Sequence, residues 1–334
     1  MQGAAPNFMS SSISMDSGGS ALMDFSVMNY GASSANMFST QYTLHDMIHA
    51  LKQYPKFLLR DDYSSPLLHR SLYDEDVPDM TTLAKSSMAV CCGSAMETSD
   101  GARFARHAME VERQRLIEAY PTYMCMHQWD ALHAMFVYEI LELRASSDHS
   151  KDDWKQKPYS KGLKTPFLVR MTQGFIRSQL EAPGANLMST SSLPVQNLEQ
   201  WAVAETARRT IFFANLIHFL SKYDPASGKF SAYYEPLDDE LILNMPLPCS
   251  HALWSARTEQ EWRITMEYCQ GNASPSIDDL PSAFHLVPSC LTLKYLLSNF
   301  SRDYLRTGLL HNLGFDGSDQ LRSFIILCAL EQFT

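Results

Sequence analysis

Glycine-rich phosphate loops and nucleophile motifs are missing from this 334-residue chain. Its 14 glycines form neither a G-x-x-x-x-G-K-[ST] loop nor a G-x-G-x-x-G loop, whose backbone amides would cradle phosphates. No G-x-S-x-G turn, which exposes the serine of α/β hydrolases, occurs either. These absences argue against a nucleotide-binding enzyme and against a serine hydrolase of that type. We expect a protein that is not an enzyme and that needs no cofactor.

Basic charge and long apolar runs are also scarce. The formal net charge is -10, and the first lysine or arginine in the chain is Lys52. Phosphate contacts need clustered basic side chains, so we expect no nucleic-acid binding by this chain alone. No apolar run reaches the roughly 18 residues of a membrane span, and no basic segment opens a secretory signal. The sequence predicts a soluble intracellular protein without a membrane partner.

The cysteines lack the spacing of a zinc site or a disulfide framework. No two of the seven are arranged as Cys-x2-Cys, and the adjacent pair Cys91 and Cys92 would point in different directions on a helix. We interpret this pair as small buried residues. The number and spacing of the cysteines favour a reducing compartment.

Two histidine patterns are candidate metal sites. His45 and His49 lie one helical turn apart in HDMIH, but an aspartate stands where the zinc proteases have their general-base glutamate. Cys125, His127 and His133 fall within nine residues, yet positions 125 and 127 would diverge on a helix. We interpret the first pair as helix-surface histidines and the second group as core residues, and predict no metal site.

The chain divides into a leader and one helical region. Residues 1–40 are rich in Ser, Gly, Ala and Met without any period, and are predicted to be disordered. Beyond them, apolar residues recur at steps of three and four, whereas strand alternation and Asn-Gly hairpin signals are missing. We therefore predict an all-α domain over residues 41–334. Helices are expected at 42–54, 79–97, 100–120, 129–143, 166–180, 199–223, 258–268, 293–304 and 318–333.

Particular residues are expected to begin these helices or to line one face. Asp100 is the predicted cap of the helix expected at 100–120, and Thr258 with Glu261 is predicted to form a capping box for the helix expected at 258–268. The helix from 129 to 143 is predicted to be amphipathic. Its apolar stripe consists of Trp129, Leu132, Phe136, Ile140 and Leu143.

Charged residues on two helices are predicted to face water. Glu205 precedes Arg208 and Arg209 by three and four residues, the spacing of an ion pair on a helix surface. A second helix interleaves both signs of charge, which is typical of a solvated face. Its charged residues are Arg103, Arg106, Glu110, Glu112, Arg113 and Arg115.

A stiff apolar loop, which we call the proline loop, covers residues 233–254 with the sequence YYEPLDDELILNMPLPCSHALW. Pro246 and Pro248 exclude a helix across its centre. We expect its apolar residues from Leu241 to Leu247 to dock on the core while the acids at 238–240 stay in water. Ser250 is the predicted cap of a short helix that carries Trp254, and Cys249 is expected to be buried.

Several short segments, taken in order along the chain, carry a resemblance to a known family. A Trp-led helix contains Arg208-Arg209-Thr210-Ile211-Phe212-Phe213, and it is followed by Met245-Pro246-Leu247-Pro248-Cys249-Ser250 and then Leu253-Trp254. This order resembles the middle homology region of fungal zinc-cluster transcription factors, in which an Arg-pair helix precedes an L-P-L-P-C loop. The likeness continues at Pro66-Leu67-Leu68-His69, at Ala84 to Cys92, and at Ala256 and Glu261-Trp262.

The resemblance covers about residues 41–334 and implies a multi-helix regulatory domain of the fungal transcription factor type. It implies a nuclear transcription regulator that controls a metabolic or secondary-metabolite biosynthetic gene cluster. The implied partners are the transcription machinery or a full-length DNA-binding relative, and a second copy of the chain is a further candidate.

One departure from the family concerns its DNA-binding cluster. That cluster holds zinc with six cysteines that begin Cys-x2-Cys-x6-Cys, but no cysteine precedes Cys91 here, so no zinc ligand is carried over. Either an upstream exon is missing or the chain acts as a stand-alone regulatory domain. Two alternatives stay open: a partner that dimerises with full-length zinc-cluster factors, or a helical enzyme or ligand- or metal-binding protein. A site of the last kind would lie around His45, His49, Cys125 and His127.

Overall fold

The computed structural model describes residues 36–60, 63–72, 98–123, 126–147, 161–181, 187–188, 197–224, 229–230, 236–271, 291–315 and 317–333. Within these ranges the protein is mostly helical, as the sequence predicts. One small antiparallel pair joins strands β1 (Tyr223–Asp224) and β2 (Lys229–Phe230). The helix expected at 79–97 lies outside the described residues, as do residues 1–35 of the predicted leader.

The described part of the chain contains eleven α-helices, and the first begins inside the predicted leader. In chain order they are α1 (Asn36–Phe57), α2 (Ser99–Ala119), α3 (Met126–Ser147), α4 (Lys161–Glu181), α5 (Leu198–Ser221), α6 (Asp239–Asn244), α7 (His251–Trp254), α8 (Glu259–Gly271), α9 (Leu293–Asn299), α10 (Arg302–Leu309) and α11 (Ser318–Gln332). Short 3-10 turns cover Arg70–Leu72, Tyr120–Thr122 and Leu310–Asn312.

Helix α5 occupies the centre of the fold. It begins where the Asn197 side chain accepts a hydrogen bond from the amide of Gln200, and it packs against α3, α4, α6 and α11. The sequence predicts burial of its apolar C-terminal half, and this is confirmed. Most of its N-terminal half is buried as well, including Trp201 and Ala202. The helix is therefore a core element along most of its length.

Helix α3 is buried more completely than its sequence suggests. The predicted stripe is confirmed at Trp129, Leu132, Phe136 and Ile140, which are buried. Its last member, Leu143, is half-buried. Residues on other faces, such as Met135, are also buried because α1, α2, α4 and α5 all pack against α3. The prediction of an amphipathic helix is thus wrong for its central turns.

Helix α2 lies against α3 through one apolar face. Ala105, Met109 and Leu116 on that face are buried, as their spacing predicts. The cap is Thr98, whose hydroxyl accepts a hydrogen bond from the amide of Gly101 at 2.9 Å. The prediction that Asp100 caps this helix is therefore wrong, and Asp100 lies in its first turn.

Arg113 is an exception to the predicted solvated face of α2. Its side chain is buried, with Nη1 3.1 Å from Oε1 of Glu142 and Nη2 3.5 Å from Oε1 of Glu139 on α3. Arg115, in contrast, pairs with Glu112 at the surface. Position 113 is buried because its side of α2 packs against α3, so the charge helps to join the two helices.

The predicted helix from 293 to 304 consists of two helices. Phe300 adopts an extended backbone and ends α9, after which the Ser301 hydroxyl accepts a hydrogen bond from the amide of Tyr304 and starts α10.

At α8 the predicted cap at Thr258 is confirmed. Thr258 accepts from the amide of Glu261, as the predicted capping box requires. The Glu261 carboxylate accepts from the amide of Arg257, one residue before the cap, instead of from that of Thr258.

Replacing Arg113 tests the buried pairing between α2 and α3. We expect Arg113→Met to lower the free energy of unfolding by about 3–5 kcal/mol, because Glu139 would lose a buried partner. The matched change Arg115→Ala breaks a more exposed pair and should cost under about 1 kcal/mol. Urea denaturation measures both, and equal effects would contradict the assignment.

Candidate functional site

A buried charged cluster lies where several segments of the family resemblance meet. We call it the Arg209 cluster, formed by Glu205, Arg208, Arg209, Cys249 and Trp254. The predicted ion pairs are present, since Arg209 Nε lies 2.8 Å and Arg208 Nη2 2.7 Å from the Glu205 carboxylate. Their predicted place on the helix surface is wrong, because all three charged side chains are buried.

The guanidinium group of Arg209 joins three parts of the chain. Nε donates to Glu205 on the same helix, and Nη1 donates to the carbonyl of Pro66 at 2.8 Å. Nη2 donates to the carbonyl of Cys249 at 3.1 Å and lies 3.2 Å from its sulfur. The group also stacks on Trp254, with Cζ 3.6 Å from the ring centroid. One fully buried cation thus holds the segment around Pro66 and the proline loop on α5.

The Glu205 carboxylate is the anion that balances this group. Its Oε1 accepts from Arg209 and also from the backbone amide of Cys249 at 2.8 Å. Burial would raise the pKa of Glu205, but the charges of Arg208 and Arg209 and the Cys249 hydrogen bond outweigh it and lower the pKa to about 2. The carboxylate is therefore ionised, and its negative charge balances the arginine charges of the cluster. Without that partner, burying an arginine charge would cost much free energy.

The proline loop reaches the cluster through a short helix that the sequence did not predict. The Asp238 carboxylate caps α6 by accepting from the amide of Leu241, and the helix ends at Asn244, two residues before Pro246. The predicted docking of the apolar residues is confirmed. Those that are buried are Leu241, Ile242, Met245 and Leu247. Met245, which precedes Pro246, adopts an extended backbone, and the amide of Cys249 further along reaches Glu205 on α5.

Two predictions about the acids and the cap need correction. Asp238 and Glu240 are exposed as expected, but Asp239 is half-buried and accepts from Nε2 of Gln332 at 3.4 Å. Ser250 stands at the N-cap position of α7, but its side chain makes no capping hydrogen bond. The predicted burial of Cys249 and Trp254 is confirmed.

The segment from Ser65 to His69 closes the cluster from the other side. The indole Nε1 of Trp254 donates to the carbonyl of Ser65 at 3.2 Å. The backbone amide of His69 donates to the Thr206 hydroxyl on α5 at 3.3 Å. The imidazole of His69 packs edge-on against Trp201 and Trp254, and burial followed by the charge of Arg209 lowers its pKa. The segment from Ser65 to His69 is therefore held against α5 and Trp254 by hydrogen bonds of its backbone groups and by the packing of the His69 ring.

Helix α11 completes the enclosure of the loop. Arg322 is buried, and its Nε donates to the carbonyl of Pro248 at 2.8 Å. Asp319, one turn earlier, accepts from the amide of His251 at 3.2 Å. Two side chains of α11 thus bind the loop on either side of Cys249.

The predicted candidate ligands do not come together in the described residues. His45 and His49 are exposed on α1, as predicted. The prediction that His127 is a core residue is wrong, because it lies in the first turn of α3 and is exposed there. Cys125, Cys91 and Cys92 lie outside the described residues. His133 is half-buried, with Nε2 3.2 Å from the Thr210 hydroxyl, and burial lowers its pKa to about 3. Among the side chains that the structure places, no group of three or more His, Cys, Asp or Glu residues is positioned to bind a metal ion.

The Arg209 cluster is suited to holding chain segments rather than to nucleophilic chemistry. Burial and the neighbouring Glu205 raise the pKa of the Cys249 thiol, which disfavours the reactive thiolate. The guanidinium donors of Arg209 bind the carboxylate and backbone carbonyls around them. The cluster therefore fixes the proline loop and the segment around Pro66 relative to α5.

Comparison with protein-family models, with curated proteins and with solved structures found no match. The assignment of function therefore depends on the residues themselves. None of the described helices is long and apolar enough to cross a membrane.

One sequence signal could have revealed the burial of this cluster. Glu205 and the two arginines are followed by the apolar run Ile211-Phe212-Phe213 and preceded by Trp201 on the same helix. When a helix is apolar on nearly every side, charged residues on it are expected to be buried with the rest. The i, i+3 and i+4 spacing of Glu205, Arg208 and Arg209 does not by itself distinguish a buried ion pair from an exposed one. The contacts with Pro66 and Arg322 had no local signal, because they join residues far apart in sequence.

Removing the Trp254 ring tests the packing of the cluster. We expect Trp254→Ala to lower the free energy of unfolding by about 3–5 kcal/mol, because the change leaves a cavity and removes the ring stacked on Arg209. Tyr268→Ala on α8 is the matched control, since this ring is 61% exposed and should cost much less. Thermal denaturation measures both variants, and an unchanged Tm for Trp254→Ala would contradict the role of the ring.

Acidification tests the charge state of Glu205. Its pKa is lower in the folded protein than the ordinary 4.5, so it stabilises the fold above that pH and loses this contribution as the pH falls towards about 2. The difference in unfolding free energy between the natural chain and Glu205→Gln should therefore shrink on acidification. Urea denaturation over about pH 6 to 3 measures it. The exposed-site control Glu267→Gln should follow the natural chain, and a constant Glu205→Gln difference would contradict the assignment.

Proposed function

We propose that this chain is the helical regulatory domain of a transcription regulator of the fungal zinc-cluster type. It acts in the nucleus and controls a metabolic or secondary-metabolite biosynthetic gene cluster. Its activity is regulatory rather than catalytic, and it needs no cofactor of its own. DNA is reached through a partner, either the transcription machinery or a full-length DNA-binding relative.

The observation that carries this proposal is the meeting of the resembling segments in one cluster. Arg209 represents the Arg-pair helix, Cys249 the L-P-L-P-C loop and Trp254 the Leu-Trp step. Arg209 contacts both of the others. The fourth resembling segment enters through Pro66. Four short matches scattered along a chain would be weak evidence, but side chains that pack together share one physical role. This mutual dependence supports common ancestry with the family domain over a chance likeness.

The chemistry of the described residues supports a binding role. The buried charges of the cluster neutralise one another and hold backbone segments, so they are poorly placed to act on a substrate. Exposed apolar side chains lie on outer helices instead, as at Phe104 on α2 and at Ile264 on α8. A regulatory domain uses such surfaces to contact partners, while its interior keeps the surfaces in place.

The net charge of -10 supports an indirect route to DNA. A protein that binds DNA unaided neutralises phosphates with clustered lysines and arginines. Several arginines are paired with acids in this chain, for example Arg263 with Glu259 and Arg306 with Glu331. Their charge is thus already balanced within the protein, and the proposal assigns DNA contact to the partner.

A tethering experiment in fungal nuclei tests the proposed function. The whole chain is fused to an unrelated DNA-binding domain whose site lies upstream of a reporter gene. We expect reporter output to change several-fold relative to the DNA-binding domain alone, because the tethered domain brings its partner to the promoter. A fusion that carries Trp254→Ala is expected to lose this effect, since the cluster is disrupted.

Two controls decide the outcome. Tyr268→Ala leaves the cluster intact and should keep the effect on the reporter. Purified chain without a partner should show no tight, specific binding to promoter DNA. A nuclear, folded fusion without any effect on the reporter would overturn the proposal. Stoichiometric zinc retained by the purified protein after dialysis would favour the metal-binding alternative instead.

A further inference from the structure

The Ser65-Pro66 step lies where the segment from Ser65 to His69 meets the Arg209 cluster. The carbonyl of Ser65 accepts from the indole Nε1 of Trp254 at 3.2 Å, and the carbonyl of Pro66 accepts from Arg209 Nη1 at 2.8 Å. The Ser65 hydroxyl accepts from the amide of Leu67 at 3.1 Å and so makes a local turn beside these carbonyls. Two consecutive carbonyls therefore join the segment to the cluster, and the serine hydroxyl lies next to both.

A serine followed by proline is the substrate motif of proline-directed protein kinases. Proline has no amide N–H and biases the residue before it towards an extended backbone, and both properties help such kinases to select the serine. The chain contains three Ser-Pro or Thr-Pro steps, at Ser65, Thr165 and Ser274. At Ser65 the carbonyls of the step itself bind the Arg209 cluster. A phosphoryl group on Ser65 would therefore act directly on these contacts.

In the folded chain the docked segment shields Ser65. Its side chain is half-buried and is followed by the buried Pro66 and Leu67, whereas Ser64 before it is exposed. A kinase binds its substrate as an extended stretch of several residues, so the segment must leave the cluster before the transfer. In the unmodified chain this happens only through rare local openings. The rate of phosphorylation at Ser65 therefore reports how firmly the segment is docked.

We propose that Ser65 is a phosphorylation site that controls the docking of this segment on the Arg209 cluster. The γ-phosphoryl group of ATP moves to Oγ of Ser65, ADP leaves, and the catalytic base of the kinase takes the hydroxyl proton. The product is a phosphoserine with a charge of about −1.5 to −2 at pH 7. The proposal concerns the chain itself and does not depend on the proposed role in transcription.

The new charge opposes docking for two reasons. A phosphate group needs water or free donors, but Ser65 is half-buried and the donors of Arg209 are already used within the cluster. The ionised Glu205 carboxylate beside Arg209 adds repulsion between like charges. Once the segment is released, Arg209 and Trp254 lose buried hydrogen-bond acceptors, which weakens the cluster. Phosphorylation therefore favours the released segment.

The rate of phosphorylation tests whether docking protects Ser65. The purified full chain is incubated with ATP and a mitogen-activated protein kinase, which is proline-directed, and phosphate on Ser65 is quantified by mass spectrometry. Trp254→Phe keeps an aromatic ring but removes the donor to the Ser65 carbonyl, so we expect phosphorylation at least about threefold faster. Tyr268→Phe on α8 is the matched control, since its ring is exposed, and it should keep the natural rate.

Cooperative thermal unfolding of both variants above the assay temperature shows that they are folded during the reaction. Chains that carry no phosphate on Ser65, in the natural form and in Trp254→Phe alike, would overturn the proposal. Equal rates in these two chains would overturn the coupling between docking and phosphorylation.

Thermal unfolding of the natural chain tests the consequence of the modification. The chain phosphorylated at Ser65 should melt at least about 2 °C lower than the untreated chain, and a phosphatase should restore the original Tm. Ser65→Ala treated with the same kinase is the control, because it can carry phosphate at Thr165 or Ser274 but not at position 65. Its Tm should not change on treatment. An unchanged Tm of the natural chain phosphorylated at Ser65, or an equal shift in Ser65→Ala, would overturn the proposal.

Discussion

The burial of one arginine, Arg209, is the constraint on which the arrangement of this domain depends. A guanidinium group without water must find hydrogen-bond acceptors within the protein. It finds them on Glu205, Pro66 and Cys249, which belong to three segments of the chain. Because the loss of any one segment would leave buried charge or buried donors unsatisfied, these segments are expected to stay together while the protein is folded.

The cluster also lies between two hydrophobic cores. The larger core is built from α1, α3, α4, α5 and α11, and the smaller one lies where α7 and α8 meet the start of α5. Trp201, Trp254 and Trp262 contribute most of the aromatic surface of the smaller core. Helix α5 runs through both, so its charged residues lie at the junction. Apolar packing alone would join two such cores loosely, whereas directional bonds from Arg209 define their relative position.

Charged residues thus have two separate uses in this domain. Inside, Arg113 and Arg209 join elements through buried pairs, and their partners already neutralise them. Outside, the ion pair of Asp100 with Arg103 on α2 lies in solvent beside the exposed Phe104. The same helix α2 shows both uses, since one side carries Arg113 against α3 and the other carries Phe104 in solvent. We infer that the buried clusters hold the surfaces of the domain in position.

The sequence by itself determined the positions and the type of most described helices. Periodicity, caps and prolines are local signals, so the helix that became α5, the cap at Thr258 and the docking residues of the proline loop were predictable. Tertiary structure alone decided which charges were buried. The spacing of Glu205, Arg208 and Arg209 is the same for an exposed pair and a buried one. Only the approach of Pro66 and Cys249, distant in sequence, removed these residues from water, because burial depends on what packs against a helix rather than on the helix itself.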